Sequence, residues 1–250
     1  MSPFFSVVEP LVLVAPKVVL IAAAVVFPVL FFIPAPYGRH TRKGWGPTLP
    51  AKLGWVVMEA PSVFLFAAVW LANPRFGEPM VAALGVLWLL HYGQRTFVFT
   101  ALMPKDGKPM PFVTLGMAIV FNVLNATGNA GSLASRPLDL PLVLGTGLFL
   151  GAMALNIHSD HVLRTLRAPG ETGYKVPERG AFRWVSAPNY LGEILEWVGF
   201  ALAAQTLAAW AFAAFTFANL APRAVANHRW YRAQFPDYPK ARRALIPFLW

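Results

Sequence analysis

Long apolar blocks separated by short polar segments dominate the chain. A helix needs about 20 mostly apolar residues to cross a bilayer. Five blocks are of this kind: Val12–Phe32, Trp55–Ala72, Met80–Leu102, Phe112–Thr127 and Pro141–Ile157. A sixth block, about Ile194–Ala221, is longer than one span but short for two, and Gln205 and Thr206 interrupt its middle. We predict two short helices with a tight connection there, and therefore an all-α integral membrane protein with seven transmembrane helices.

The basic residues support this count and indicate an orientation. Of the 21 lysine and arginine residues, 17 fall after helices 1, 3, 5 or 7, which lie on one side of the membrane when there are seven spans. Basic residues favour the cytoplasmic ends of spans, so we predict an N-terminus outside and a C-terminus in the cytoplasm. The first block is too long for a signal peptide and no basic segment precedes it, so we expect it to be a span. The membrane would be a bacterial inner membrane or, in a eukaryote, the endoplasmic reticulum.

Composition agrees with a membrane protein and excludes some chemistry. Soluble chains are about 45–50% apolar and about 25% charged, whereas this chain is 57% hydrophobic and 13% charged. It has no cysteine, which excludes disulfides, thiol nucleophiles and cysteine-ligated metals. The net charge of +10 lies in the gaps between the apolar blocks, so we expect membrane lipid rather than nucleic acid as its partner. We expect a monomer.

Ionisable residues inside two of the spans indicate a site, because charges are costly in a bilayer. Helix 2 contains Glu59, and helix 3 contains a polar cluster within about one turn: His91, Tyr92, Gln94 and Arg95. Glu59 could form a structural ion pair with Arg95. It could instead form a hydrogen bond with Tyr92 that makes the phenol a better donor to a substrate carbonyl. Asn122 and Asn125 of helix 4 are expected to form contacts between helices.

The loop between helices 5 and 6 is the densest polar stretch. Arg164 and Arg167 are three residues apart, which predicts one helical face that could grip phosphates. A basic loop that only attracts anionic lipid is the alternative. His158, Ser159 and Asp160 are adjacent and therefore cannot face each other as a hydrolase triad. The chain has no G-x-G-x-x-G, Walker or metal-binding motif, so we predict neither a Rossmann or P-loop nucleotide site nor a metal site.

In this loop, and in motifs elsewhere along the chain, the sequence resembles the steroid 5-alpha-reductase family. The matching motifs are Asn156-Ile-His-Ser-Asp160, Leu-Arg-x-Leu-Arg167, Pro-Gly-Glu-x-x-Tyr174, Val-Ser-x-x-Asn189-Tyr-x-Gly-Glu193, His228-Arg-x-Tyr231, His91-Tyr92-x-x-Arg95, Glu59-x-Pro-Ser62 and Pro36-Tyr-Gly-x-His-Thr41. They cover nearly the whole chain in register. The chain is similar to the type 2 members above all, and a bacterial homologue is expected.

The resemblance implies one membrane domain of seven helices. A lipophilic substrate would lie among helices 1–4, about residues 1–127. NADPH would lie among helices 5–7, about residues 140–250, with the cytoplasmic loop 157–192 and the C-terminal segment 222–250. The implied reaction is hydride transfer to C5 of a 3-oxo-4-ene steroid, with Glu59 and Tyr92 at the 3-keto oxygen. The implied cofactor-binding residues are Asn156, Asp160, Arg167, Tyr174, Asn189, Glu193, Arg223, His228 and Tyr231.

Two departures from the family pattern concern substrate preference. Met58 stands where a glutamine often precedes the glutamate, and helix 4 lacks an arginine that some members present to the site. Two other classes of function remain open. An integral membrane methyltransferase of the isoprenylcysteine carboxyl methyltransferase type would not need the Glu59 and Tyr92 pair. A sterol- or lipid-binding protein without activity would not need Asp160, Arg167 and Asn189 together.

Overall fold

The computed structural model describes residues 2–33, 44–104, 107–168, 171 and 173–250. All eleven predicted site residues fall within these ranges. Four basic residues that supported the predicted orientation lie outside them, as does the motif at 36–41: Arg39, Arg42, Lys43 and Lys105.

Helices form almost all of the regular structure in the described residues, so the predicted all-α class is confirmed. They are α1 (Pro3–Phe32), α2 (Ala51–Ala72), α3 (Pro79–Gly93, continued to Leu102), α4 (Phe112–Ser132), α5 (Leu140–Arg164), α6 (Pro188–Ala204) and α7 (Leu207–Gln234). A short antiparallel pair, β1 (Thr48–Leu49) with β2 (Met110–Pro111), joins the segments before α2 and α4. Helices satisfy their own backbone hydrogen bonds, as a lipid environment requires.

Four of the described helices are long and apolar enough to cross a membrane: Pro3–Phe32, Ala51–Ala72, Phe112–Ser132 and Leu140–Arg164. Their apolar side chains are largely on the outside, as the exposure of Leu13 (66%), Ile21 (65%) and Val120 (62%) illustrates. A soluble protein rarely exposes apolar surface so continuously. The chain is therefore a multi-pass membrane protein.

The break that the sequence predicted at Gln205 and Thr206 is confirmed. α6 ends at Ala204, and Gln205 adopts a left-handed conformation with φ 48° and ψ 36°. Thr206 then caps α7, its hydroxyl oxygen accepting a hydrogen bond from the Ala209 amide at 3.1 Å. The two helices are not short, because α6 begins at Pro188 and α7 continues to Gln234. Their polar ends extend beyond the apolar block.

Two helices change to π-helical geometry next to the predicted catalytic residues. In α2 the π-helical turn covers Pro61–Leu65, just after Glu59. Pro61 has no backbone donor, so a regular α-helical hydrogen bond cannot form there. In α3 the π-helical segment covers Gln94–Phe99, just after Tyr92. Such turns change which way the following side chains face, and they are frequent at functional sites.

Glycines bring α5 and α6 into close contact. A Cβ atom added to Gly145 would lie 2.5 Å from the backbone nitrogen of Ala203, and one added to Gly199 would lie 2.5 Å from that of Phe149. Small residues allow helix backbones to approach in this way within membranes. Next to this pair, Trp88 of α3 stacks on Phe66 at 4.6 Å and contacts Trp197 of α6 at 5.2 Å. This aromatic core lies directly beside Tyr92.

Candidate active site

Tyr92 lies at the junction of α2, α3, α4 and α6. Its side chain is 4% exposed, and its ring contacts Trp88 at 5.0 Å and Trp197 at 5.7 Å. Glu59 is partly buried on α2, with Tyr92 and Arg95 in its electrostatic surroundings. The described residues contain no hydrogen bond between Glu59 and Tyr92. Glu59 and Tyr92 are therefore brought near each other, but the predicted direct bond is not formed.

Arg95 forms its ion pairs across the protein rather than with Glu59. Its Nη1 lies 2.9 Å from Asp160 Oδ2, and its Nη2 lies 3.7 Å from Glu193 Oε2. The guanidinium also lies over the ring of Phe99 at 4.2 Å. The alternative prediction, an ion pair between Glu59 and Arg95, is therefore wrong for the described residues. Arg95 pairs instead with the two carboxylates that α5 and α6 present to it.

Four predicted cofactor residues form one network with Arg95. Asn189 Nδ2 donates to Asp160 Oδ1 at 3.0 Å, and Asn156 Nδ2 donates to the Asn189 carbonyl at 2.9 Å. Glu193 joins through its contact with Arg95. The network connects the end of α5 and the start of α6 to α3, so it links the predicted cofactor side to the helix that carries Tyr92.

The sequence did not predict a second buried pair, between His91 and Glu196. His91 Nδ1 lies 2.7 Å from Glu196 Oε1, and Glu196 is 0% exposed. The signal was present, since Glu193 and Glu196 are three residues apart and share one face of a mostly apolar helix. A carboxylate on such a face needs a partner, and His91 was the available one.

Arg167 and Tyr174 line a cavity of about 390 Å³. Its wall also contains Trp55 and Lys108, a lysine that the sequence did not assign to the site. The prediction that Arg164 and Arg167 share one helical face is wrong, because α5 ends at Arg164 and Arg167 lies beyond the helix. Arg167 instead donates to the Gly173 carbonyl at 3.1 Å.

The three predicted site residues of α7 lie apart from this cavity. Arg223 donates to the Tyr190 hydroxyl at 3.2 Å, and Tyr231 stacks on Tyr238 at 5.3 Å. His228 Nδ1 lies 2.6 Å from Ser186 Oγ. Burial, followed by the positive charge of nearby arginines, lowers the pKa of His228 below its usual value. These contacts connect α7 to the start of α6 and to the C-terminal segment.

Met58, the first of the two departures from the family pattern, lies where α2 meets α4. The Met58 side chain packs against a small apolar cluster of Leu49, Met110 and Leu115. Its backbone carbonyl accepts a hydrogen bond from Asn122 Nδ2 at 2.6 Å, so Asn122 joins α4 to α2 as the sequence predicted. The side chain at position 58 therefore lies in an apolar cluster and offers no polar group beside Glu59.

Comparison with known proteins identifies the family of this chain. Residues 108–250 match the family model described as 3-oxo-5-alpha-steroid 4-dehydrogenase. The chain is 44% identical over 227 residues to 3-oxo-5-alpha-steroid 4-dehydrogenase 1 of Macaca fascicularis, covering 85% of this chain and 84% of that protein. It is 42% identical over 232 residues to 3-oxo-5-alpha-steroid 4-dehydrogenase 2 of Homo sapiens, covering 86% and 88%. This chain belongs to the 3-oxo-5-alpha-steroid 4-dehydrogenase family. The steroid 5-alpha-reductase resemblance and the oxidoreductase class are confirmed.

Members of both types match at nearly equal identity, since the type 1 protein of Homo sapiens is 43% identical over 227 residues, 85% of each chain. An oxidoreductase of this family implies a nicotinamide cofactor, and the chain has groups that suit one. Lys108 and Arg167 supply positive charge in the cavity, while Trp55 and Tyr174 supply aromatic faces. Glu196 Oε2 is buried without a hydrogen-bond partner among the described residues, and an amide could satisfy it.

Proposed function

We propose that this enzyme reduces the 4,5 double bond of 3-oxo-4-ene steroids with NADPH and forms 5α-reduced products. The observation that carries the proposal is the position of Tyr92. Its phenol is buried beside Glu59 and lies on the same helix as Arg95, which is bonded to the predicted cofactor residues. A carbonyl-polarising group and a cofactor-binding network thus adjoin. The relatives' names support a steroid as the substrate.

The residues of the cavity and of the network around Arg95 suit the parts of NADPH. Lys108 and Arg167 would bind phosphates, because guanidinium and ammonium groups form strong charge-assisted hydrogen bonds with them. The amide and carboxylates of Asn189, Asp160 and Glu193 would bind ribose hydroxyls and the nicotinamide amide. When bound, NADPH supplies a hydride to C5 of the steroid.

Tyr92 would hold the 3-keto oxygen of the steroid. Its hydroxyl donates a hydrogen bond that draws electron density from the enone, so C5 becomes electron-poor and accepts a hydride. The negative charge then develops on the oxygen that Tyr92 holds, and a fixed donor in a dry site stabilises that charge strongly. C4 takes a proton from solvent to complete the reduction, so that one hydride and one proton together saturate the double bond. Glu59, partly buried beside the phenol, would in its protonated form donate to the same oxygen, or it would fix the phenol's position.

We propose that the seven described helices form seven spans, with the N-terminus outside and the C-terminus in the cytoplasm. The steroid would enter among α1–α4 from the bilayer, and NADPH would bind from the cytoplasm to the part formed by α5–α7. The expected compartment is a bacterial inner membrane or the endoplasmic reticulum, and the expected state is a monomer.

Product analysis tests the proposal. We expect the purified protein in lipid nanodiscs to convert testosterone or progesterone to the 5α-reduced steroid, faster with NADPH than with NADH. Tyr92→Phe should lower kcat while leaving the Kd for NADPH unchanged. An enzyme that leaves all 3-oxo-4-ene steroids unchanged, or a Tyr92→Phe variant of normal rate, would contradict it.

A further inference from the structure

Two buried polar groups beside Tyr92 have no hydrogen-bond partner among the described residues. They are Ser62 Oγ on α2 and Asn125 Nδ2 on α4. Ser62 is 0% exposed and Asn125 is 2% exposed. An unsatisfied polar atom in a membrane protein interior is costly, and such atoms are few in native structures. Two of them at one place therefore point to a task that the fold alone does not require.

Hydrogen bonds between the helices bring both groups to Tyr92. Trp88 lies one helical turn before Tyr92 on α3, and its Nε1 donates to the Ser62 carbonyl at 2.8 Å. This bond holds the π-helical turn of α2 against α3 close to Tyr92. Asn122 lies about one turn before Asn125 on α4, and its Nδ2 donates to the Met58 carbonyl at 2.6 Å. This bond holds α4 against α2. As a result, the Ser62 and Asn125 side chains are polar neighbours of the Tyr92 hydroxyl, although neither completes a hydrogen bond to it.

The orientation of the Asn125 amide is fixed by Asn129. Asn129 Nδ2 donates to Asn125 Oδ1 at 2.9 Å and to the Asn125 carbonyl at 3.0 Å. Asn125 Oδ1 is therefore used as an acceptor, and its Nδ2 group remains as the free end. That end can only donate a hydrogen bond.

We propose that Asn125 and Ser62 are positioning residues that direct the hydroxyl proton of Tyr92 toward the substrate carbonyl. A phenol oxygen donates one hydrogen bond and can accept others. When Asn125 donates to this oxygen, the phenol's own proton cannot point back at Asn125. Hydrogen bonds in series also polarise one another, which makes the phenol a stronger donor. The inference rests on the carbonyl-polarising role proposed above for Tyr92.

The π-helical turn explains why Ser62 can take part. Pro61 interrupts the regular helix two residues after Glu59, and the wider turn at Pro61–Leu65 carries Ser62 to the face that contacts α3. The Ser62 hydroxyl can donate or accept, whereas the Asn125 amide end can only donate. Asn125 therefore fixes the direction of the phenol proton, and Ser62 reinforces it. Catalytic hydrogen bonds often close only when substrate is bound, which accounts for their open geometry here.

Substitutions at Asn125 test this most directly. Asn125→Leu removes the donor, and the isosteric Asn125→Asp offers an acceptor that turns the phenol proton away from the substrate. We expect each to lower kcat about tenfold or more, with the Kd for NADPH unchanged. Ser62→Ala should have a smaller effect, and Ser62→Thr, which keeps the hydroxyl, should retain activity. Thr114→Val is the matched control. It removes a buried hydroxyl of α4 that has no hydrogen-bond partner within the described part of the chain, but it lies about 16 Å along the helix from Asn125.

A binding measurement separates positioning of the phenol from a general packing effect. With oxidised cofactor bound, the affinity for a 3-oxo steroid is compared with that for the same steroid lacking the 3-oxygen. Asn125→Leu should reduce only the affinity for the 3-oxo steroid, and it should have no further effect in a Tyr92→Phe background. An equal loss for both steroids, or an undiminished loss in the Tyr92→Phe background, overturns the inference.

The outcome also distinguishes the two proposals. If wild type reduces the steroid, Tyr92→Phe is slow and the Asn125 variants are normal, only the positioning role fails. If Tyr92→Phe keeps the normal rate and the normal preference for the 3-oxo steroid, the carbonyl-polarising role fails and the positioning role fails with it.

Discussion

His91 Nδ1 of α3 lies 2.7 Å from Glu196 Oε1 of α6, and both side chains are buried. The His91 ring also contacts Tyr92 edge-on at 4.9 Å and Trp197 at 4.6 Å. The pair therefore joins the helix that carries the phenol to the helix that carries Glu193. Its geometric consequence is that α3 cannot slide along α6 without breaking a buried hydrogen bond.

Removing one member of this pair should destabilise the protein. Glu196→Ala leaves His91 without a partner in a dry environment, and breaking a buried pair in this way costs about 3–5 kcal/mol. Glu196→Gln keeps a hydrogen-bond acceptor and should cost less. Thermal unfolding in detergent measures the difference, with Glu171→Gln on the exposed loop as the control. Equal unfolding temperatures for Glu196→Ala and wild type would show that the pair contributes nothing.

Charge in the cavity should control cofactor affinity rather than the chemical step. Arg167→Ala and Lys108→Ala should each raise the Kd for NADPH about 10- to 100-fold, since a hydrogen bond to a charged group is lost. The value of kcat at saturating NADPH should remain close to that of wild type. Lys175→Ala is a matched control, because Lys175 lies in the same loop but pairs with Glu171 outside the cavity lining. Fluorescence titration with NADPH gives the affinities, and a Kd unchanged by both substitutions would place the phosphates elsewhere.

Glycine substitutions in α5 should separate close packing from helix preference. Gly145→Ala places a methyl group 2.5 Å from the Ala203 backbone nitrogen, so α5 and α6 must move apart. Overpacking of this kind costs about 1–3 kcal/mol. Gly147→Ala meets nothing within 4 Å among the described residues and should be neutral or stabilising, because alanine favours a helix over glycine. The unfolding temperatures of the two variants should therefore change in opposite directions, and a similar change in both would argue against the contact.

Stability should depend on pH through His228. Its folded-state pKa is lowered by burial, so the unfolded chain takes up the proton first as the pH falls below about 6.5. Stability is therefore complete above that pH and is lost as the pH falls toward the lowered pKa. Unfolding temperatures of the cofactor-free protein between pH 8 and pH 5 should show a smaller loss for His228→Gln than for wild type. The exposed His161 gives the control variant His161→Gln, and an identical pH dependence in all three proteins would remove His228 as the cause.

The sequence predicted the elements of the fold better than the partners within the site. Apolar block length is a local property, so the helices and the break at Gln205 could be read directly. The sequence offered only Glu59 as a partner for Arg95, and the crossing of α3 with α5 and α6 decides that it pairs with Asp160 and Glu193 instead. The π-helical segment of α3 was equally hidden, because Gln94–Phe99 contains no proline to mark it, whereas Pro61 marks the interruption of α2.

These π-helical turns also affect how the enzyme can change over evolutionary time. The turn at Pro61–Leu65 holds one residue more than a regular α-helical turn would. Because the wider turn accommodates that extra residue, deleting one residue there would restore a regular helix and leave the part of α2 beyond it facing as it does now. A deletion elsewhere in α2 has no such turn to absorb it and would rotate the rest of the helix by about 100° relative to Glu59. Changes of chain length are therefore tolerated at this turn and disruptive outside it, so homologues should be compared for insertions and deletions here as well as for substitutions.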